Sequence, residues 1–238
     1  MLPRMRRVTV ESFEDLSPHM RRFELVGPDL ADFPEQMESA HVKVIVPTAA
    51  DEKPSLLSKL ALRKRMRSYT IRYFDRIKRK LTVDFAINDH RGLAADWAKD
   101  AQIGDELKIA GPGSVKHTDF EADWHLLVAD LTALPALAAT LERLPRDAQG
   151  HIVVQVPTES DKQVLAVPEH MSLRWLILPV HAEHALLAAV KELPWQAGEP
   201  AMFVACESKE VVAIRNYLRG QPNFDESKLY ASGYWTAS

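Results

Sequence analysis

The sequence is poor in several things, and each shortage excludes something. It holds a single cysteine, Cys206, in 238 residues. One thiol makes no intrachain disulfide and supports no cysteine-ligated iron–sulfur cluster or zinc ribbon, and such a chain suits a reducing cytoplasm. No apolar run approaches the roughly 20 residues needed to span a bilayer. The longest, such as 126–129, are strand-sized, so no integral membrane association is expected. The start, MLPRMRRVTVESFED, is basic but leads into no apolar stretch and is not read as a signal peptide. There is no G-x-G-x-x-G, hence no standard dinucleotide fingerprint, and no G-x-S-x-G, hence no nucleophile elbow. None of the nine histidines forms an H-x-x-x-H pair beside a carboxylate. His181 and His184 are read as a solvated helix start rather than a metal site. A formal net charge of −3, with 26% charged residues of both signs, argues against a dedicated nucleic-acid binder. No feature argues against a monomer.

What is present falls into two rhythms. Short β-rich runs at 8–12, 21–26, 41–46, 68–74, 80–86 and 106–110 alternate with turn residues such as Gly27-Pro28, Gly104-Asp105 and Gly111-Pro112-Gly113. That spacing predicts an antiparallel barrel or sandwich, with one helix near 93–101. From about residue 125 strand and helix alternate. Strands are expected at 125–129, 152–156, 174–178, 201–205 and 228–232, and helices at 134–144, 184–193 and 209–218. This pattern predicts a parallel sheet with crossover helices. The expected fold is an antiparallel β-barrel over 1–115, followed by an open parallel α/β domain over 122–238. Ligands of such a sheet bind beyond the carboxyl ends of its strands, so the cleft between the domains is the expected site.

Several stretches carry chemistry. In R-S-Y-T, Arg67, Tyr69 and Ile71 share one face of a strand. Arg67 offers a planar fork suited to phosphate, Tyr69 a ring that stacks on a flat guest, and Thr70 a hydroxyl and an amide. Taken alone, these residues read more readily as an ordinary barrel strand with a surface arginine. Between Asp84-Phe85 and Trp97 a strand, a loop and a helix follow one another. Asn88 or Asp89 is a candidate cap there, and the small residues Gly92, Ala94 and Ala95 would let helix-terminal amides approach a diphosphate. Asp130, Leu131, Thr132 and Ala133 follow a strand and open a helix, with Asp130 or Thr132 as cap and Pro135 in the first turn. The aromatic tail Tyr230-Ala231-Ser232-Gly233-Tyr234-Trp235 would either plug the chain end or lie over a ring. Cys206 is read as packing, and Lys59, Arg63, Lys64 and Arg65 as a solvated face.

In this order and spacing, the pieces resemble the siderophore-interacting protein family within the ferredoxin–NADP reductase-like superfamily. The resemblance runs from about Val8 to Trp235. It is carried by R-x-Y-T, D-F through G-x-A to Trp97, Gly104-Asp105-Glu106-Leu107, Ala110-Gly111-Pro112-Gly113, D-x-T-A-L-P and Y-x-S-G-Y-W. It implies a flavin-dependent ferric-siderophore reductase, with FAD on a six-stranded barrel and NAD(P)H on the second domain. By the same resemblance, Arg67 would hold the FAD phosphate, Tyr69 would stack on the isoalloxazine, and Thr70 would bond its edge. Asp84, Phe85, Asn88, Gly92 and the amides of Leu93, Ala94 and Ala95 would surround the rest. Asp130, Thr132 and Ala133 would line the nicotinamide side, and Trp235 would sit near the flavin. The chain departs from the family pattern at Asn88 (usually histidine), Leu93 (proline), Ala95 (a hydroxyl residue), Ala129 (glycine) and Leu131 (glutamate). The alternatives are a flavin reductase with another acceptor and a non-catalytic flavoprotein that binds ferric chelates.

Overall fold

A computed structural model describes residues 4–47, 65–87, 92–115, 119–179 and 182–237. Two compact units divide the chain, Met1–Val115 and Lys116–Ser238.

The first unit is a closed six-stranded antiparallel barrel. Its strands are β1 (Met5–Ser17), β2 (Met20–Val26), β3 (His41–Ile45), β4 (Met66–Asp75), β5 (Lys80–Ala86) and β6 (Glu106–Ala110), in the order β1-β2-β5-β4-β3-β6. Helix α1 (Leu93–Asp100) interrupts between β5 and β6. β1 is far longer than the sequence rhythm suggests, because it serves two partners. Met5–Thr9 pairs with β6, while Thr9–Ser17 pairs with β2 across two register shifts. Only closure of the barrel gives the charged ends of β1 a ladder to join. The interior is filled by Val8, Val10, Phe23, Leu25, Val42, Val44, Ile71, Leu81, Val83 and Phe85, all buried. Glycine is required where backbones crowd: a Cβ at Gly27 would lie 2.7 Å from the Arg7 carbonyl oxygen.

The second unit is a parallel sheet ordered β11-β10-β7-β8-β9. Its elements are β7 (Trp124–Asp130), α2 (Leu134–Leu141), β8 (Gln149–Val156), β9 (His170–Ile177), α3 (Ala185–Lys191), β10 (Pro200–Glu207), α4 (Ser208–Leu218) and β11 (Leu229–Trp235). The central strands are continuous apolar runs because helices cover both faces. Every residue of β7 is buried, as is every residue of α2. Trp124, Leu126, Val128, Val153, Met202 and Val204 face Leu186, Val190, Val211, Ile214 and Leu218 of α3 and α4. At Gly150 (φ +138°) a Cβ would meet the His125 carbonyl oxygen at 1.9 Å, so β7 and β8 come together there only over a glycine. Among the described residues, no helix is long and apolar enough to cross a membrane.

Candidate functional site

In the barrel unit, Tyr69 and Phe85 lie on neighbouring strands and stack at 3.9 Å between centroids, 25° apart. Phe85 is fully buried and also meets Trp97 of α1 at 5.6 Å, while Trp97 packs on Phe23 at 5.2 Å. One core ring thus backs the Tyr69 phenol and seats the helix that follows β5. Burial raises the Tyr69 hydroxyl well above the usual phenol range, with Arg67 pulling weakly the other way, so the ring stays neutral. Arg67 is exposed two residues earlier and donates from Nη1 to its own strand at the Met66 carbonyl, 2.9 Å. Thr70 is buried and pairs across β3 with His41.

Helix α1 starts at Gly92, an extended N-cap with no side-chain acceptor. The first N–H groups of a helix have no intrahelical partner. Those of Leu93, Ala94 and Ala95 therefore form a donor set that the N-cap residue itself does not satisfy. At the other end Arg21 donates from Nη1 to the Ala98 and Lys99 carbonyls (2.9 and 3.1 Å), a cation on the negative end of the helix. The expected caps Asn88 and Asp89 lie outside the described residues, as do Lys59, Arg63, Lys64 and His181; Arg65 donates from Nη1 to Val46 O at 3.3 Å. A neutral stacking ring, an exposed guanidinium on the same strand face and helix amides with no side-chain cap among the described residues fit a planar group with an anionic tail.

Asp84 sits in a different environment. Its side chain is only 1% exposed and is held by Arg22 through Nε–Oδ1 at 2.7 Å and Nη2–Oδ2 at 2.8 Å. Arg72 Nε stands 3.7 Å away and, through Nη2, donates to Tyr73 Oη. Arg72 takes up the register shift between Ile71 and Tyr73 on β4, and this bulge brings it to the carboxylate. Asp84 is thus a clamp between β2, β4 and β5, and its carboxylate is already occupied by guanidinium groups.

In the sheet unit, the carboxyl end of β7 carries Asp130, which is 2% exposed. Its Oδ1 accepts from Thr132 N (2.9 Å), Thr132 Oγ1 (2.6 Å) and Ala133 N (3.3 Å). Its Oδ2 accepts from Trp235 Nε1 at 2.6 Å. Four predicted residues, Asp130, Thr132, Ala133 and Trp235, therefore meet. Burial pushes the Asp130 carboxyl above the usual range, and these hydrogen bonds pull against it. Neither Asp130 nor Thr132 caps α2: the N-cap is Ala133, with Pro135 in the first turn, and Asp130 instead closes the turn that precedes it. The tail forms an edge strand rather than a loose plug. Tyr230 stacks on Phe203 at 5.1 Å, and the Trp235 carbonyl accepts from Ser208 Oγ at 2.7 Å.

A cavity of about 280 Å³ is lined by Asp130 and, among others, by Gln155, Cys206 and Glu207 at the carboxyl ends of β8 and β10, by Glu210 of α4 and by Ala237 after β11. The sequence reading missed Glu207 and Glu210. Glu207 accepts from Lys209 N and Glu210 N and caps α4. It also accepts from Ala237 N at 3.1 Å. Burial opposes its ionisation, but these amides outweigh it and hold Glu207 below the usual range. Glu210, in the first turn of α4, accepts from His184 N (3.0 Å) and Leu187 N (2.8 Å) at the start of α3. The only sequence signal was a glutamate just before a helical run, and glutamate is not a common cap. Cys206 is buried. Burial, with Asp130, Glu210 and Glu207 nearby, pushes its thiol far up, so it offers no thiolate. Among the described residues, no group of three or more metal-ligating side chains is gathered.

Comparison with known proteins agrees with this geometry. The siderophore-interacting FAD-binding domain profile matches residues 9–116, and the siderophore-interacting protein profile matches residues 122–238. The ferric vibriobactin reductase ViuB of Vibrio cholerae is 33% identical over 92% of this chain and 85% of its own length. The NADPH-dependent ferric-chelate reductase of Escherichia coli is 28% identical over 98% of this chain and 94% of its own. The solved structure of the siderophore-interacting protein SipS from Aeromonas hydrophila superposes with a TM-score of 0.87 at 35% identity, covering 98% of this chain and 92% of that one. At the level of fold alone, the ferredoxin–NADP+ reductase of Plasmodium falciparum matches with a TM-score of 0.66 at 14% identity, over 96% and 95% of the two chains. With an aromatic stack seated on the buried Phe85 in a six-stranded barrel, an Asp-x-Thr-Ala turn at the end of the first parallel strand, and both profiles matched along the chain, this protein belongs to the siderophore-interacting protein family.

Proposed function

We propose that the chain is a flavin-dependent ferric-siderophore reductase, which takes electrons from NAD(P)H and delivers them to Fe(III) held in a siderophore, so that iron leaves as Fe(II). Residues 1–115 form the FAD-binding domain and 122–238 the NAD(P)H-binding domain. The observation that carries this reading is the Trp97–Phe85–Tyr69 stack, which sets a neutral ring and a helix N-terminus from one buried core residue. FAD, when bound, supplies the conversion of a hydride's electron pair into single electrons.

The chain's own residues bind and orient. Tyr69 presents its ring to the flat part of FAD and Arg67 its fork to phosphate. Thr70 offers hydrogen bonds at the ring edge. Gly92 and the amides of Leu93, Ala94 and Ala95 receive the diphosphate, and the family resemblance gives Asn88 an amide contact to FAD. Phe85 backs Tyr69, and Asp84, the preceding residue on β5, locks that strand to Arg22 and Arg72. Asp130, Thr132 and Ala133 line the nicotinamide side, and Asp130 fixes the Trp235 indole through its N–H. No side chain is needed as a general acid or base. The protein works as a cytoplasmic monomer, binds no nucleic acid and takes the ferric chelate as a small-molecule substrate.

The test is spectroscopic. The purified chain should be yellow and release FAD rather than FMN on denaturation. Anaerobic NAD(P)H should bleach it, and a ferric siderophore should restore the colour while a chromogenic chelator traps Fe(II). Bleaching without Fe(II) would replace this reading with a flavin reductase using another acceptor. Tyr69→Leu should weaken FAD binding about tenfold by loss of ring stacking, measured by flavin fluorescence titration.

A further inference from the structure

The sheet runs β9-β8-β7-β10-β11, which in chain order is strand 3-2-1-4-5 of this unit. In a doubly wound sheet of that order a dinucleotide lies across the carboxyl ends at the switch between the first and fourth strands. The residue after the second strand then meets the adenosine ribose: a carboxylate there accepts from a free 2′-hydroxyl, and a cation accommodates a 2′-phosphate. The second strand here is β8. Its Gln155 pairs in register with Asp130 and lines the cavity at the carboxyl edge. The chain then turns through a 3-10 helix, Glu159–Asp161. Fully buried Asp161 accepts at Oδ2 from Thr158 N (3.1 Å) and Thr158 Oγ1 (2.6 Å), which fixes that turn. Glu159 is left 71% exposed just beyond the strand's end, and the neighbouring cation Lys162 is already paired to it at 2.6 Å.

The rest of the edge offers a further phosphate little. The cavity lining carries Asp130, Glu183, Glu207 and Glu210 against one lysine, Lys209. Amides at the starts of α4 and α3 are taken by Glu207 and Glu210 respectively. Resting on the pyridine-nucleotide reading above, we propose that this chain prefers NADH to NADPH. Glu159 sets the preference by accepting from the ribose 2′-hydroxyl and by repelling a 2′-phosphate both directly and by neutralising Lys162.

The experiment titrates the flavin-loaded full chain calorimetrically with ADP-ribose and with 2′-phospho-ADP-ribose, and follows anaerobic flavin reduction by NADH and NADPH in parallel. ADP-ribose should bind at least about tenfold more tightly. Glu159→Gln should narrow that ratio and Glu159→Lys should reverse it; the position is exposed, so both variants should fold. Equal or tighter binding of the 2′-phosphorylated fragment by the native chain overturns the preference, and so does a ratio that neither variant moves. If both dinucleotides reduce the flavin equally, only the preference falls. If neither fragment binds and neither dinucleotide reduces the flavin, the pyridine-nucleotide donor itself is wrong and the preference falls with it.

Discussion

Each unit buries one aspartate at the end of, or just inside, a strand, and the two are neutralised in opposite ways. Asp84 in the barrel is 3% exposed and Asp130 in the sheet 2%. Asp84 meets two guanidinium groups, whereas the partners of Asp130 among the described residues are two amides, a hydroxyl and an indole N–H, all neutral. A charge-matched carboxylate acts as a fastener between strands. A carboxylate held only by dipoles carries an unrelieved cost of desolvation, and its protonation state responds to its surroundings. The barrel therefore uses its buried acid to fasten β2 and β4 to β5, the strand that carries Phe85 behind the Tyr69 ring, while the sheet places Asp130 where a nucleotide is proposed to bind.

The sharpest way to break this contrast is Arg22→Ala. It strips the bidentate partner from Asp84 and leaves Arg72 Nε at 3.7 Å. A loss of about 3 kcal/mol is expected, since removing one partner strands a buried charge, and it is read as a fall in the urea midpoint of the barrel. Replacing the pair together with apolar residues should recover most of that loss. Trp235→Phe should have a smaller effect, about 1–2 kcal/mol for a lost hydrogen bond to a buried carboxyl. It should also push the Asp130 carboxyl further up.

The smallest effect is a slope rather than a step. The folded state raises the Asp130 carboxyl above its ordinary value of 3.8. As pH rises from about 4 the unfolded chain ionises first, the folded state binds more protons, and stability falls until the folded group has also ionised. Asp130→Asn removes that window. The difference in stability between native chain and variant should therefore drift against the native chain as pH rises from 4 towards neutrality and then level off. A difference independent of pH would show that the hydrogen bonds to Asp130 fully offset its burial.

Much of this was legible in the linear chain. The β-rich rhythm before residue 115 and the strand–helix alternation after it gave the two architectures, because side-chain periods of two and of 3.6 reflect which face is buried. The helix at 93–101 and the R-S-Y-T strand were both visible. The length of β1 was not, since its outer residues are charged and become strand only when β6 and β2 supply ladders on either side. The clamp on Asp84 was also hidden: Arg22 and Asp84 are 62 residues apart and face each other only through the antiparallel register of β2 and β5.

Composition and local pattern alone determined that this chain makes a barrel followed by a parallel sheet, and which short motifs carry its chemistry. Periodicity and turn chemistry are local properties of a polymer. Only the tertiary structure decided which acids are already occupied and by what: guanidinium for Asp84, an indole for Asp130, helix amides for Glu207 and Glu210. A hydrogen-bond partner far away in sequence is chosen by strand register and helix docking, and neither is written in any short stretch of residues.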